Sequence, residues 1–190
     1  MANKEVTAEF KTLLTKEEYN RIVKHFGDKP GDLQTNYYFD TKRFTLKASD
    51  AMLRVKKRSY MGIALERKKG FTFQKTKSDI TEEQFQYMLE TGECPIEEIK
   101  NELNDLIKDQ KLKNFMTLST YRISFPYKNG KLCIDKCNYF TTEDYELEYI
   151  ASTHDKGKLE FIEIIKELNI NYKKSQVKLK RAYDALKRQL

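Results

Sequence analysis

The sequence predicts an α+β fold dominated by an antiparallel sheet, and three features carry that prediction. Short segments alternate apolar and polar residues, as in "EDYELEYI" (143–150) and "STYRISF" (119–125). Stretches with apolar residues at helical spacing interrupt them in the middle of the chain and follow them at its end. Turn residues, such as Gly27, Pro30 and Gly31 or "KNG" at 128–130, separate the periodic segments.

The elements follow in order. Residues 5–14 alternate and predict a strand, with Glu9 and Lys11 on one face and Ala8 and Phe10 on the other. Residues 15–26 predict a short helix, because Thr15 and Glu18 stand at capping-box spacing. Residues 33–41 are rich in β-formers. Residues 52–58 and 62–70 predict a hairpin turning near 59–62, with a further strand at 71–77. Thr81 and Gln84 cap a helix running to about Glu90. Pro95 opens another, with a stripe of Ile96, Ile99, Leu103, Leu106 and Ile107. Strands return at 115–125, 131–140 and 143–150. Two helices finish the chain, one carrying Leu159, Phe161, Ile162, Ile165 and Leu168, the other Leu179, Ala182, Tyr183, Leu186 and Leu190.

Composition narrows the function. A chain of 190 residues with 39% hydrophobic content buries one good core, so a single domain over 1–190 is expected. No apolar run reaches the roughly 18 residues that a membrane span needs, and the first residues lack the pattern of a secretory signal. Cys94, Cys133 and Cys137 form no CxxC pair, which predicts reduced thiols and a cytoplasmic protein. His25 and His154 stand alone, which argues against zinc. The +7 net charge, from 36 basic and 29 acidic residues, favours an anionic partner. No RNA or DNA motif accompanies the basic runs at 56–58 and 67–69, so nucleic acid ranks below a small polyanion.

The polar strand faces are more specific. Alternation puts Tyr145, Leu147 and Tyr149 on one face of 143–150 and Asp144, Glu146 and Glu148 on the other. Glutamates two residues apart on a strand are about 7 Å apart and repel by roughly 2 kcal/mol at an effective dielectric of 20. A solvated face tolerates that, and so does a face that holds a cation. Other strands offer Glu9 and Lys11, Arg54 and Lys56, Arg122, and Asp135. An open sheet would leave these charges on a solvated surface. A closed barrel with Tyr121, Ile123, Leu147 and Tyr149 turned outward against helices would gather them inside.

Seven pieces, in order, now resemble the CYTH family of triphosphate tunnel metalloenzymes: "AEFKTLLTKEEY", "NYYFDT", "MLRVK", "STYRISF", "IDKCNYF", "EDYELEY" and "VKLKRAY". The family includes thiamine triphosphatases, inorganic triphosphatases and class IV adenylate cyclases, and the chain is most similar to small bacterial members named as adenylate cyclases. The resemblance implies an eight-stranded antiparallel β-barrel with helices packed outside. It implies a hydrolase of a small triphosphate that uses Mg²⁺ or Mn²⁺. Residue by residue, Glu9, Asp135, Glu146 and Glu148 correspond to the metal site. Lys11, Arg54, Lys56, Arg122, Lys178 and Arg181 correspond to phosphate contacts, with Glu9, Lys11 and Glu148 nearest the chemistry.

The chain also departs from the family pattern. The E-x-E-x-K motif reads "TAEFK", with Thr7 at the first glutamate, and Glu5 falls about two residues too early. The R-x-R motif becomes Arg54 and Lys56. The strand-four lysine is either Arg67 or Lys68, and the next strand carries Lys75 and Lys77 where an acid is often found. These changes weaken the metal half of the site and spare the phosphate half. The alternatives are a non-catalytic polyphosphate- or nucleotide-binding module and an adenylate cyclase; the sequence assigns no residue to a purine pocket.

Overall fold

The computed structural model describes residues 8–69 and 72–188. Thr7, Glu5 and Leu190 lie outside the described residues. In chain order the elements are β1 (Ala8–Leu14), α1 (Lys16–His25), β2 (Asp32–Thr41), α2 (Thr45–Ala48), β3 (Ala51–Lys57), β4 (Met61–Lys69) and β5 (Thr72–Asp79). Then come α3 (Glu82–Thr91), α4 (Glu97–Ile107), β6 (Leu112–Tyr127), β7 (Gly130–Tyr139), β8 (Thr142–Ala151), α5 (His154–Glu167) and α6 (Lys178–Lys187). The strands form an eight-stranded antiparallel sheet in the order β1-β8-β7-β6-β2-β3-β4-β5. That order has two ends, β1 and β5, where a closed barrel has none. The chain divides into two compact units, one of residues up to Leu33 and from Ser119 onward, the other Gln34–Leu118.

In the first unit β8 lies between β1 and β7. Lys11 is opposite Glu148 on one side, and on the other Cys133 is opposite Glu148, Asp135 opposite Glu146 and Cys137 opposite Asp144. The apolar side of these strands carries Leu132, Ile134, Tyr145, Leu147 and Tyr149. It packs with Tyr19 and Ile22 of α1 and Phe161 and Ile164 of α5. Helix α1 begins as its capping box predicts: Thr15 N–H donates to Glu18 Oε2 at 2.7 Å, and Glu18 N–H to Thr15 Oγ1 at 3.1 Å. Glu18 Oε1 also accepts from the Asn171 N–H at 3.0 Å, so the cap anchors the segment that leads to α6.

The phase of α5 differs from the expectation. Leu159 is 64% exposed and Ile162 41%, while Phe161, Ile164 and Leu168 are buried. Gly157 is the reason. A Cβ there would meet Ala151 Cβ at 2.4 Å and the Phe10 ring at 2.7 Å. Glycine thus seats the helix against β1 and β8, and the face that includes Gly157, Phe161, Ile164 and Leu168 becomes the packed one. Tyr121 also departs from its expected place: it is exposed, and its hydroxyl accepts the Gly31 N–H at 3.0 Å instead of packing under a helix.

In the second unit, Leu53, Val55, Ile63 and Leu65 of the β3–β4 hairpin pack with Phe85 and Met88 of α3 and Ile99, Leu103 and Ile107 of α4. The predicted capping box of α3 is present, with Gln84 N–H on Thr81 Oγ1 at 3.2 Å and Thr81 N–H on Gln84 Oε1 at 3.0 Å. The four-residue α2 was not expected. It forms because the buried Asp40 carboxylate accepts the N–H groups of Leu46 and Lys47 at 2.9 and 3.0 Å.

The packed face of α5 is testable by denaturant unfolding. Gly157→Val should lower stability by about 1–3 kcal/mol, because the new side chain overlaps Ala151 and Phe10. Leu159→Ser should stay within about 0.5 kcal/mol of wild type. The reverse ranking would restore the expected phase.

Candidate functional site

The face of β1, β6, β7 and β8 opposite the first unit's core carries acids and bases in interlocking pairs. Asp135 is fully buried. It accepts two hydrogen bonds from Arg122, Nε at 2.7 Å and Nη2 at 2.6 Å, and a third from Lys178 Nζ. Arg122 Nη2 also bonds Glu148 Oε2, while Glu148 Oε1 pairs with Lys11 Nζ at 2.9 Å. Lys11 Nζ holds Glu9 Oε2 at 2.8 Å as well, and so stands between two carboxylates.

The other end of the face is built around Arg181 of α6. Its Nη1 donates to Glu146 Oε2 at 2.7 Å, Ser175 Oγ at 2.8 Å and the Gln176 carbonyl at 2.6 Å. Its Nε and Nη2 bond Asp144 at 2.9 and 3.1 Å. Ser175 Oγ donates to Glu146 at 2.5 Å. Glu146 Oε1 is buried without a hydrogen bond; Lys178 Nζ, at 3.3 Å, gives it a charge contact alone.

These pairs shift the groups in consistent directions. Burial pushes the Asp135 carboxyl up, but the Arg122 hydrogen bonds and the Lys178 charge outweigh it and hold the group below the ordinary carboxylate range. The Lys11 hydrogen bond keeps Glu9 low. Burial disfavours the charged forms of Lys11 and Lys178, yet their carboxylate partners leave both ammonium groups above the ordinary lysine value. Cys133 and Cys137, on the same face as Asp135, are buried thiols pushed up to about 11 and about 12 by desolvation. They are protonated at neutral pH and are poor nucleophiles.

Glu9, Lys11, Arg122, Asp135, Glu146, Glu148, Lys178 and Arg181 therefore share one charged face of the first unit. Arg54 and Lys56 belong to the second unit, on the polar side of β3, where Arg54 Nη2 lies 3.6 Å from Glu66 and Arg54 Nε is buried without a hydrogen bond. The strand register separates the two strand-four candidates. Arg67 lies on the helix-covered side and contacts Glu102 of α4 at 3.7 Å, whereas Lys68 alternates to the side of Arg54 and Glu66. The sequence put Asp144 on this face without giving it a role, and pointed to neither Ser175 nor Glu66. Asp144 is on the same strand face as Glu146 and was legible; Ser175 lies in an irregular segment that no periodicity places.

A hard divalent cation prefers carboxylate oxygens, and Glu9, Asp135, Glu146 and Glu148 are the right donors for one. Among the described residues no three such groups are arranged to hold a metal unaided, because each carboxylate is engaged by a basic side chain. The free oxygen of Glu146 and the position of Lys11 Nζ between Glu9 and Glu148 fit a cation that takes over from the basic groups.

A CYTH domain model matches residues 5–183. The chain belongs to the CYTH family. A Bacillus subtilis (strain 168) protein named "Putative triphosphatase YjbK" is 27% identical over 187 residues, covering 96% of both chains. The crystal structure of a putative adenylate cyclase from Bacillus halodurans is 31% identical, with a TM-score of 0.73 over 93% of this chain and 97% of that one. HpAC1 from Hippeastrum, described as a putative adenylyl cyclase with a dominant triphosphatase activity, shares the fold with a TM-score of 0.74 at 14% identity, covering 95% and 96% of the two chains.

The Asp135 cluster makes a pH prediction. A carboxylate held low in the folded state contributes stability above its unfolded pKa of about 3.9 and loses it as pH falls through the folded value. Wild type should therefore lose stability steeply below pH 4. Asp135→Asn should lose roughly 3 kcal/mol at pH 7, by leaving Arg122 and Lys178 short of a counter-charge, and should show a flatter acid limb. Equal acid limbs in urea titrations from pH 3 to pH 7 would contradict this.

Proposed function

We propose that this protein hydrolyses a small triphosphate with the help of Mg²⁺ or Mn²⁺. The observation that carries the reading is the acid–base face of the first unit, where Glu9, Asp135, Glu146 and Glu148 interlock with Lys11, Arg122, Lys178 and Arg181. The triphosphatase name of the Bacillus subtilis relative supports it. A single domain over 1–190 is part of the same proposal.

In this reading Glu9, Glu146 and Glu148 hold the cation, with Asp135 beside them. The cation, when bound, supplies Lewis-acid charge at the phosphate oxygens. The protein's own part is an exchange of partners. Lys11 and Arg122 leave their carboxylates for phosphoryl oxygens, and Lys178 and Arg181 do the same at the far end of the first unit's face. Their charge offsets the negative charge that spreads over those oxygens in the transition state. The lowered Glu9 pKa makes it a weak base at neutral pH, which suits a cation ligand better than a proton acceptor. Because every released base exposes an acid, cation and triphosphate enter together: each relieves the charge that the other leaves unpaired.

One observation favours the binding module instead. The carboxylates are already neutralised by basic groups, and Thr7 removes a further acid. Phosphate release from inorganic triphosphate, titrated with each metal, separates the two. The hydrolase reading predicts slow, strictly metal-dependent release, weakened binding of triphosphate by about tenfold or more in Arg122→Ala, and acceleration in Thr7→Glu. Tight binding with no release at any metal concentration, and none restored by Thr7→Glu, would establish the module.

A further inference from the structure

The outer face of α5 is ordered in a way that its seat on the sheet does not explain. Gly157, Phe161, Ile164 and Leu168 face the core, which turns Asp155, Leu159, Ile162 and Lys166 out to solvent as one stripe about 16 Å long. Leu159 and Ile162 form its centre, with Asp155 at one end and Lys166 at the other, both exposed. The acids on the neighbouring flank are already engaged: Glu160 accepts from Tyr149 and Asn129, and Glu163 and Glu167 hold Lys128. Asp155 touches the adjacent His154 at 3.2 Å. Lys166 enters no ion pair among the described residues.

The stripe is complementary to its own reverse. Its spacings are four, three and four residues. A second α5 laid antiparallel across it, about a two-fold axis, therefore sets Asp155 against the partner's Lys166 and the reverse. Leu159 and Ile162 of both copies gather between these two ion pairs. The helix macrodipole accounts for an acid in the first turn and a base in the last on a single copy, but not for two large apolar side chains between them. Beside Ile162 the apolar surface continues into a cavity of about 530 Å³ lined by Phe10, Phe161, Ile165 and Tyr172, so the patch is broader than the helix alone. We propose that α5 is the interface of a homodimer, formed by antiparallel pairing of this stripe with the same stripe of a second copy. Flanking residues meet their own copies across the two-fold: Glu163 is neutralised by Lys128, whereas Lys158 faces the partner's Lys158. That repulsion and the small apolar centre make the contact weak and reversible.

The test is analytical ultracentrifugation of wild type, Asp155→Lys, Lys166→Asp, the double variant carrying both, Leu159→Ser and Lys158→Ala. Wild type should show a monomer–dimer equilibrium with a Kd of about 10–100 µM. Each single charge reversal sets like charges together at two symmetry-related points and should raise Kd about tenfold or more. The double variant exchanges the two ends and should return to within about threefold of wild type. Leu159→Ser should remain monomeric while keeping the denaturant stability of the wild-type monomer. Lys158→Ala should tighten the dimer by about threefold, by removing the repulsion at the two-fold. Wild type that stays monomeric to about 500 µM would overturn the inference. So would a dimer that Asp155→Lys and Leu159→Ser leave intact, or charge reversals that the double variant fails to rescue. None of these outcomes touches the triphosphate reading.

Discussion

Burial of the Asp135 carboxylate beneath Arg122 and Lys178 is the contact on which the first unit depends. A charge taken out of water costs several kcal/mol unless partners replace its hydration. Arg122 does so with two bonds from one planar fork, and Lys178 adds a third from α6. Removing Asp135 leaves Arg122 and Lys178 each short of one counter-charge, and removing either base leaves the buried carboxylate with fewer partners. The requirement then spreads: Arg122 also serves Glu148, Glu148 serves Lys11, and Lys178 serves Glu146, which Arg181 shares. The helix α6 is held to the sheet less by apolar area than by these two basic residues, since Ala182 and Ala185 are the apolar residues it buries fully.

The second unit solves a different problem. Among the described residues its polar face has few carboxylates for its bases: Glu66 answers Arg54 and Lys75, and Asp79 shares the strand face of Lys77. Where the first unit is balanced, this face keeps a cationic excess over the small residues Gly62 and Ala64. The overall charge of +7 is thus not spread as a uniform coat. A balanced acid–base lattice suits exchange with a cation and an anion together.

Much of this was legible in the sequence because strand alternation depends on neighbours two residues away. Tyr145, Leu147 and Tyr149 face the core, and Asp144, Glu146 and Glu148 do not, as the period demands. The caps of α1 and α3 were legible for the same local reason. What escaped depends on contacts between distant segments. The phase of α5 follows from Gly157 meeting Ala151 and Phe10, and α2 follows from Asp40 reaching forward to Leu46 and Lys47. Periodicity gave Glu146 its face, but not Arg181 and Ser175 as its partners. The choice between Arg67 and Lys68 turned on register, which a run of three basic residues conceals.

The central claim is that acids and bases on the first unit's polar face neutralise one another until a cation and a polyphosphate arrive together. Calorimetric titration of the wild-type protein with MgCl₂ alone, with inorganic triphosphate alone, and with each in the presence of the other tests it most directly. The predicted result is weak binding of either ligand alone and an affinity at least about tenfold higher when the other is present, the same factor in both directions. Tight binding of Mg²⁺ by itself, with no change on adding triphosphate, would contradict the claim.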